Sequence, residues 1–127
     1  MARLVGVSVE EVQADRVGIA KKMALKWHKT VVLKGANTVI VTPNGKAMLN
    51  HSANPGLATA GTGDVLSGVI AGLVAQGLTL TDAAASGVYL HAEAGEIVKD
   101  RLGDAGMIAS DLLPALPLAI KKIKESA

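Results

Sequence analysis

Between residues 54 and 72 the chain reads Asn54-Pro-Gly-Leu-Ala-Thr-Ala-Gly-Thr-Gly-Asp64, then Val65-Leu-Ser-Gly-Val-Ile-Ala-Gly72. Glycines at 61 and 63 let the backbone approach a ligand closely. A helix starting after them aims unpaired N–H groups and the positive end of its dipole at the same point. Together these make an anion hole suited to a polyphosphate. Asp64 stands at its rim, where a carboxylate repels phosphate. Its presence makes sense where a substrate hydroxyl must be oriented and relieved of its proton while it attacks a phosphoryl group. A plainer explanation competes: a glycine turn followed by an Asp that suits the helix dipole. Short glycine motifs recur widely, and spacing alone leaves the two readings about even.

Other residues have chemistry to offer. Lys34 follows Val31-Val32-Leu33, a continuous apolar run of the kind that forms a strand buried on both faces. Sheets in α/β folds place ligands at strand ends, so its ammonium or the nearby backbone could meet a phosphate or ribose. The alternative is a solvated lysine at a strand end. Asn54 could position substrate or Asp64, or could simply start an Asn-Pro turn. His28, His51 and His91 share no ligand spacing and read as surface or packing residues. No protein-held metal is expected, and any Mg²⁺ would come with the phosphates, because that ion keeps waters and takes few protein ligands. The Ala-rich stretch containing Tyr89, His91 and Glu93 reads as core.

The elements that must hold these residues can be drawn from pattern. Ser8-Val9-Glu10-Glu11 has the form of a capping box and predicts a helix reaching Trp27. Thr38–Thr42 and Ala47–Asn50 flank Pro43-Asn44-Gly45-Lys46, which predicts a β-hairpin with the positive φ angles that Asn-Gly supplies. The stretch from His51 to Gly63 reads as a loop feeding a helix from Val65. A second helix is expected after a Thr81-Asp82 cap, running to about Leu102 and stopped by Gly103. Ser110-Asp111 would cap a last segment, interrupted near Pro114 or Pro117 and ending in Lys121-Lys122-Ile-Lys124. The class is α/β.

Composition bounds the possibilities. The chain has 127 residues, the size of one ordinary domain or part of one. Half of the residues are hydrophobic but only 2 % are aromatic, so the core must be built from Ala, Val, Leu, Ile and Met. Thirteen basic and 11 acidic residues give a net charge of +2, too weak and scattered for a nucleic-acid footprint. The absence of cysteine excludes disulfides, thiol nucleophiles and thiolate metal sites. No secretory leader is visible in Met1-Ala-Arg-Leu-Val, and cytoplasm is the default. The apolar stretch from Val65 to Leu80 contains Ser67, Gly68, Gly72, Gln76 and Gly77, and falls short of the ~20 apolar residues of a membrane helix.

The segment from Asn54 to Gly68 resembles the signature of the ADP- or ATP-dependent NAD(P)H-hydrate dehydratases, of the ribokinase-like superfamily. The resemblance extends to Val9-Glu-Glu-Val-Gln-Ala-Asp15, Val32-Leu-Lys-Gly-Ala36 and Ala109-Ser-Asp-Leu-Leu113, and so covers nearly the whole chain. It implies a three-layer α/β/α fold. The implied activity is repair: hydrated NADH or NADPH is dehydrated at the expense of ADP or ATP with Mg²⁺, through a phosphorylated hydroxyl. It also implies nucleotide contacts from Lys34, Gly35, Ala36, Asn37 and Thr38 and from Gly61, Thr62 and Gly63, with Asp64 and Asn54 facing the hydrated dinucleotide. Asn37 stands where the family more often has glycine, a substitution softened by the tolerance of Asn for positive φ. A small-molecule kinase on the same scaffold and a catalytically silent nucleotide-binding module are the competing readings.

The family's domain is about twice this length. Residues 1–127 are therefore expected to be its C-terminal, nucleotide-binding half, with Met1-Ala-Arg-Leu-Val-Gly resembling residues just after a substrate motif of the upstream half. Such a half would leave sheet edges and apolar faces to be covered, so a homo-oligomer or a complementing N-terminal half is expected as partner.

Overall fold

Residues 1–127 are described by a computed structural model, in which the chain divides into two units, Met1–His51 and Ser52–Ala127. The first contains α1 (Ala2–Val5), α2 (Val9–Ala14), α3 (Arg16–Trp27), β1 (Val31–Leu33), β2 (Thr38–Val41) and β3 (Ala47–Asn50). The capping box forms: Ser8 Oγ accepts from the Glu11 amide at 3.1 Å, and the Glu11 carboxylate accepts from the Ser8 amide at 2.7 Å. That backbone hydrogen bond holds the Glu11 carboxyl below its ordinary pKa. The helix expected to run unbroken to Trp27 is instead divided at Asp15, at φ −144, whose carboxylate accepts from the Gly18 amide at 2.9 Å. A short acidic side chain that can bond the nearby backbone offers the chain an alternative to continuing the helix.

The sheet has the order β1-β2-β3 with both pairings antiparallel, Val31 opposite Val41 and Val41 opposite Ala47. All of β2 is buried, whereas in β1 Val32 is only half-buried, so β1 is not the doubly covered strand its apolar run suggested. Ala20, Met23 and Ala24 of α3 form one core cluster with Val12, Val31, Leu33, Val39 and Val41. The expected hairpin is present. Its connection is the five residues Thr42–Lys46, closed by the Thr42 amide on the Lys46 carbonyl at 3.0 Å, and of Asn44 and Gly45 only Gly45 takes a positive φ (+85).

The second unit contains a 3-10 turn at Pro55–Ala58, α4 (Thr62–Ala75), α5 (Leu80–Leu102), a 3-10 turn at Ala109–Asp111 and α6 (Leu112–Ser126). Helix α4 begins three residues earlier than the apolar pattern suggested. The cap of α5 is Thr79, not Thr81-Asp82: Thr79 Oγ1 accepts from the Asp82 amide at 3.1 Å, and Gly103 at φ +81 ends the helix. Helix α6 runs through both prolines. Pro114 lies in the first turn, where a missing N–H leaves no bond unmade, and the helix tolerates Pro117.

Helices α4, α5 and α6 pack around Leu90, Ala94, Val98, Met107, Leu112, Ala115 and Ala119, with Val65, Val69 and Leu73 against them. Small residues set the spacing: a Cβ on Gly87 would lie 2.6 Å from Ile70 Cγ1, and one on Gly95 2.9 Å from Leu57 Cδ1. No helix is long and apolar enough to cross a membrane. Leu112 is 0 % exposed and its neighbour Leu113 56 %, so Leu112→Ala should cost about 2–5 kcal/mol in urea unfolding and Leu113→Ala no more than about 0.5. Equal losses in the two variants would contradict this packing.

Candidate functional site

Helix α4 starts on Gly61, at φ +87 and without a side-chain cap. That contrasts with α2, α3 and α5, whose first amides are bonded by Ser8, Asp15 and Thr79. Only glycine suits Gly61, since its φ is left-handed and a Cβ would lie 3.0 Å from Ala109 Cβ. In the turn that follows, the Asp64 and Val65 amides both bond the Gly61 carbonyl, at 3.0 and 3.2 Å, and the Thr62 amide makes a long 3.4 Å bond to Thr59. The Gly63 amide has no acceptor in the chain. Asp64 is exposed, and its carboxylate forms no hydrogen bond or ion pair within the chain. An unengaged N–H and an unengaged carboxylate thus stand on consecutive residues of a helix N-terminus.

The turn is anchored from inside. Thr62 is 1 % exposed, and its Oγ1 lies 2.7 Å from the Leu57 carbonyl and 2.9 Å from that of Thr59. Its hydroxyl is therefore committed to the scaffold, and only its backbone can face a ligand. Thr59 Oγ1 donates to the Met107 carbonyl at 2.9 Å, and Gly56 packs so closely that a Cβ would meet Met107 Cε at 2.8 Å. Asn54 is buried. Its Oδ1 accepts from the Gly56 amide at 3.0 Å, the arrangement of an Asn-Pro turn, while its Nδ2 is buried with no partner. That orphaned donor leaves hydrogen-bonding capacity for a ligand or water.

In the first unit Lys34–Thr38 forms a turn closed by its own side chain: Thr38 Oγ1 donates to the Gly35 carbonyl at 3.0 Å. Asn37 sits at φ +55, the left-handed conformation that makes glycine common there and that Asn tolerates. Lys34 is partly buried, and desolvation lowers its pKa below the ordinary lysine value.

Two positioning groups escaped the sequence reading. Arg16 Nη2 donates to the Leu33 carbonyl at 2.9 Å, and its guanidinium lies so close over Gly35 that a Cβ there would be 2.9 Å away. His91, read as a packing residue, is 4 % exposed and has Nε2 2.8 Å from the Thr62 carbonyl. Its place on the apolar stripe of α5 with Ala84, Val88, Ala94 and Val98 was the available signal, because a buried imidazole requires a partner.

Residues 1–118 match the family model of the NAD(P)H-hydrate dehydratases. The chain belongs to that family. It is 48 % identical over 125 residues to a bifunctional NAD(P)H-hydrate repair enzyme Nnr of Moorella thermoacetica, covering 98 % of this chain and 24 % of the relative. It is 42 % identical to an ADP-dependent (S)-NAD(P)H-hydrate dehydratase of Neisseria meningitidis, covering 98 % of this chain and 43 % of the relative. The Bacillus subtilis ADP/ATP-dependent NAD(P)H-hydrate dehydratase, co-crystallized with ATP/Mg²⁺, superposes with a TM-score of 0.90 at 36 % identity over 95 % of this chain and 44 % of that one. The α/β fold is the family's, and the chain spans a quarter to somewhat under half of the length of these relatives.

The lowered pKa of Lys34 has a measurable consequence. The folded state releases that proton more readily than the unfolded state, whose pKa is near 10.5. Stability should therefore rise with pH from the lowered value up to that point. Lys34→Met should abolish this rise, as read from Tm against pH in the alkaline range. An unchanged profile would show that Lys34 burial does not matter energetically.

Proposed function

We propose that the protein carrying this chain dehydrates hydrated NADH or NADPH at the expense of ADP or ATP, with this chain supplying nucleotide contacts and the proton-accepting carboxylate. The observation that carries the reading is the pairing of the unengaged Gly63 amide with the exposed, unengaged Asp64 carboxylate. The amide can hold a phosphoryl oxygen. The carboxylate can orient a substrate hydroxyl and take its proton as the oxygen bonds to phosphorus and the bond to the departing nucleotide breaks. The phosphate then leaves with the electrons of the C–O bond while the adjacent ring carbon loses a proton, which restores the nicotinamide double bond.

The other contacts follow from the same reading. Gly61 and the Thr62 backbone would complete the phosphate turn, and Asn54, whose buried Nδ2 has no partner, would turn that donor to substrate. Lys34, Gly35, Ala36, Asn37 and Thr38 would touch the nucleotide, through a partly desolvated ammonium and a backbone that Thr38 and Arg16 hold in shape. No group of three or more His, Asp or Glu side chains converges as a metal cage, and a lone Asp64 beside phosphates suits Mg²⁺ carried mainly by the nucleotide. Bound there, the ion would neutralise phosphate charge. Exposed Leu4, Leu80 and Leu102 support burial against further protein, in a homo-oligomer or against an N-terminal half, and the cytoplasm is the proposed compartment.

In the full-length protein, Gly63→Val should weaken ADP and ATP binding by obstructing the approach to the Gly63 amide, as measured by calorimetry. Unchanged affinity would remove this turn from the nucleotide site. Asp64→Asn should lower turnover of hydrated NADH by about 10²–10⁴-fold, with nucleotide affinity retained or improved because a negative charge beside the phosphates is gone. Nearly full turnover would make Asp64 a dipole-pairing residue only. Phosphorylation of a small alcohol without recovery of NADH would favour a small-molecule kinase.

A further inference from the structure

We infer that His91 is a positioning residue that aims the Gly63 amide, and so sets the affinity of the phosphate turn. The inference rests on the proposed nucleotide-dependent reaction for its consequence, but not for its geometry. His91 Nε2 lies 2.8 Å from the Thr62 carbonyl. A carbonyl can only accept, so Nε2 carries the proton and donates. The peptide joining Thr62 to Gly63 is trans and planar, as no cis bond occurs in the chain. Its C=O and N–H therefore point in opposite directions. Helix α4 already orients this peptide through the i→i+4 bond to the Thr62 carbonyl, and the bond from His91 adds a second, fixed donor that sets its tilt and so the aim of the Gly63 N–H, the amide left without an acceptor.

No other side chain bonds this peptide. Thr62 Oγ1 acts on the carbonyls of Leu57 and Thr59, Thr59 Oγ1 on that of Met107, and Ser67 Oγ on the next peptide through the Gly63 carbonyl at 3.0 Å. His91 is itself fixed. It projects from the 23-residue α5, 4 % exposed, between the buried Val88 and Ala94. An aliphatic side chain would fill the same space yet leave the buried carbonyl with its helical partner alone, so that the tilt of this peptide, and with it the direction of the Gly63 N–H, is less closely fixed. A packing role needs only volume, whereas this role needs a donor at one point.

Gln and Asn separate the two roles. The amide nitrogen of Gln lies as many bonds from Cα as Nε2 of His, while that of Asn corresponds to Nδ1 and falls short of the carbonyl. In the full-length protein, His91→Gln should keep ADP affinity within about threefold, and His91→Asn and His91→Leu should lose about tenfold or more. The ligand-free readout is the Gly63 amide resonance and its hydrogen exchange, which should be displaced in the Asn and Leu variants and restored by Gln. Affinity and Gly63 resonance in His91→Asn equal to wild type would overturn the proposal. So would equal losses in Gln and Asn, or loss of cooperative folding in all three variants. A wild-type protein that binds neither ADP nor ATP would instead remove the proposed function, and the Gly63 resonance would still decide what His91 does.

Discussion

The first turn of α4 leaves the Gly63 N–H without an acceptor in the chain, and hydrogen bonds from several parts of the second unit converge on that turn. Serine, aspartate and threonine close the starts of α2, α3 and α5. A glycine in the left-handed region opens α4 instead. Leaving an N–H unbonded near the protein surface costs little in water and becomes favourable when an anion binds. The loop leading to it gains its order elsewhere, from Thr59 and Thr62 hydroxyls on backbone carbonyls, from Gly56 against Met107, and from His91 beneath. Gly61, Thr62 and Gly63 offer only backbone to the outside, and the Thr59, Thr62 and His91 side chains that shape the turn point inward.

The Lys34–Thr38 turn of the first unit follows the same rule. Thr38 bonds the Gly35 carbonyl, Arg16 holds the Leu33 carbonyl at the end of β1, and the φ of +153 at position 35, with the guanidinium lying against it, favours glycine there. A core almost without aromatics allows this close work. The buried apolar side chains are Ala, Val, Leu, Ile and Met, and Gly87 and Gly95 let α5 approach Ile70 and Leu57 more closely than a Cβ would permit. Close helix packing brings His91 within hydrogen-bond reach of a turn 29 residues away.

Much of this was legible in the order of the residues. The capping box at Ser8, the hairpin at residues 38–50, the stop at Gly103 and the glycine turn before α4 depend on interactions within a few residues, and local sequence carries local interactions in full. The family resemblance came from ordered motifs and reached the same fold and relatives. Where the reading failed, a competing local bond or a distant neighbour had prevailed. Asp15 broke a helix by capping the next one. Thr79 displaced Thr81-Asp82 as the start of α5, and α6 absorbed Pro114 and Pro117 while its apolar face packed on α5.

The sequence by itself determined that glycines beside Asp64 lead into a helix, though not that the helix already includes Gly63 and Asp64, that Lys34 follows a strand, and that the core is aliphatic, because each is fixed by residue type or spacing along the chain. Only the tertiary structure decided that Thr62 faces inward, that the Nδ2 of Asn54 is buried without a partner, that Arg16 rests on Gly35, and that His91 donates to Thr62. A hydrogen bond is specified by the position and direction of both partners. Between residues 17 or 29 apart, that position comes from the packing of whole helices and strands, which no single stretch of sequence records.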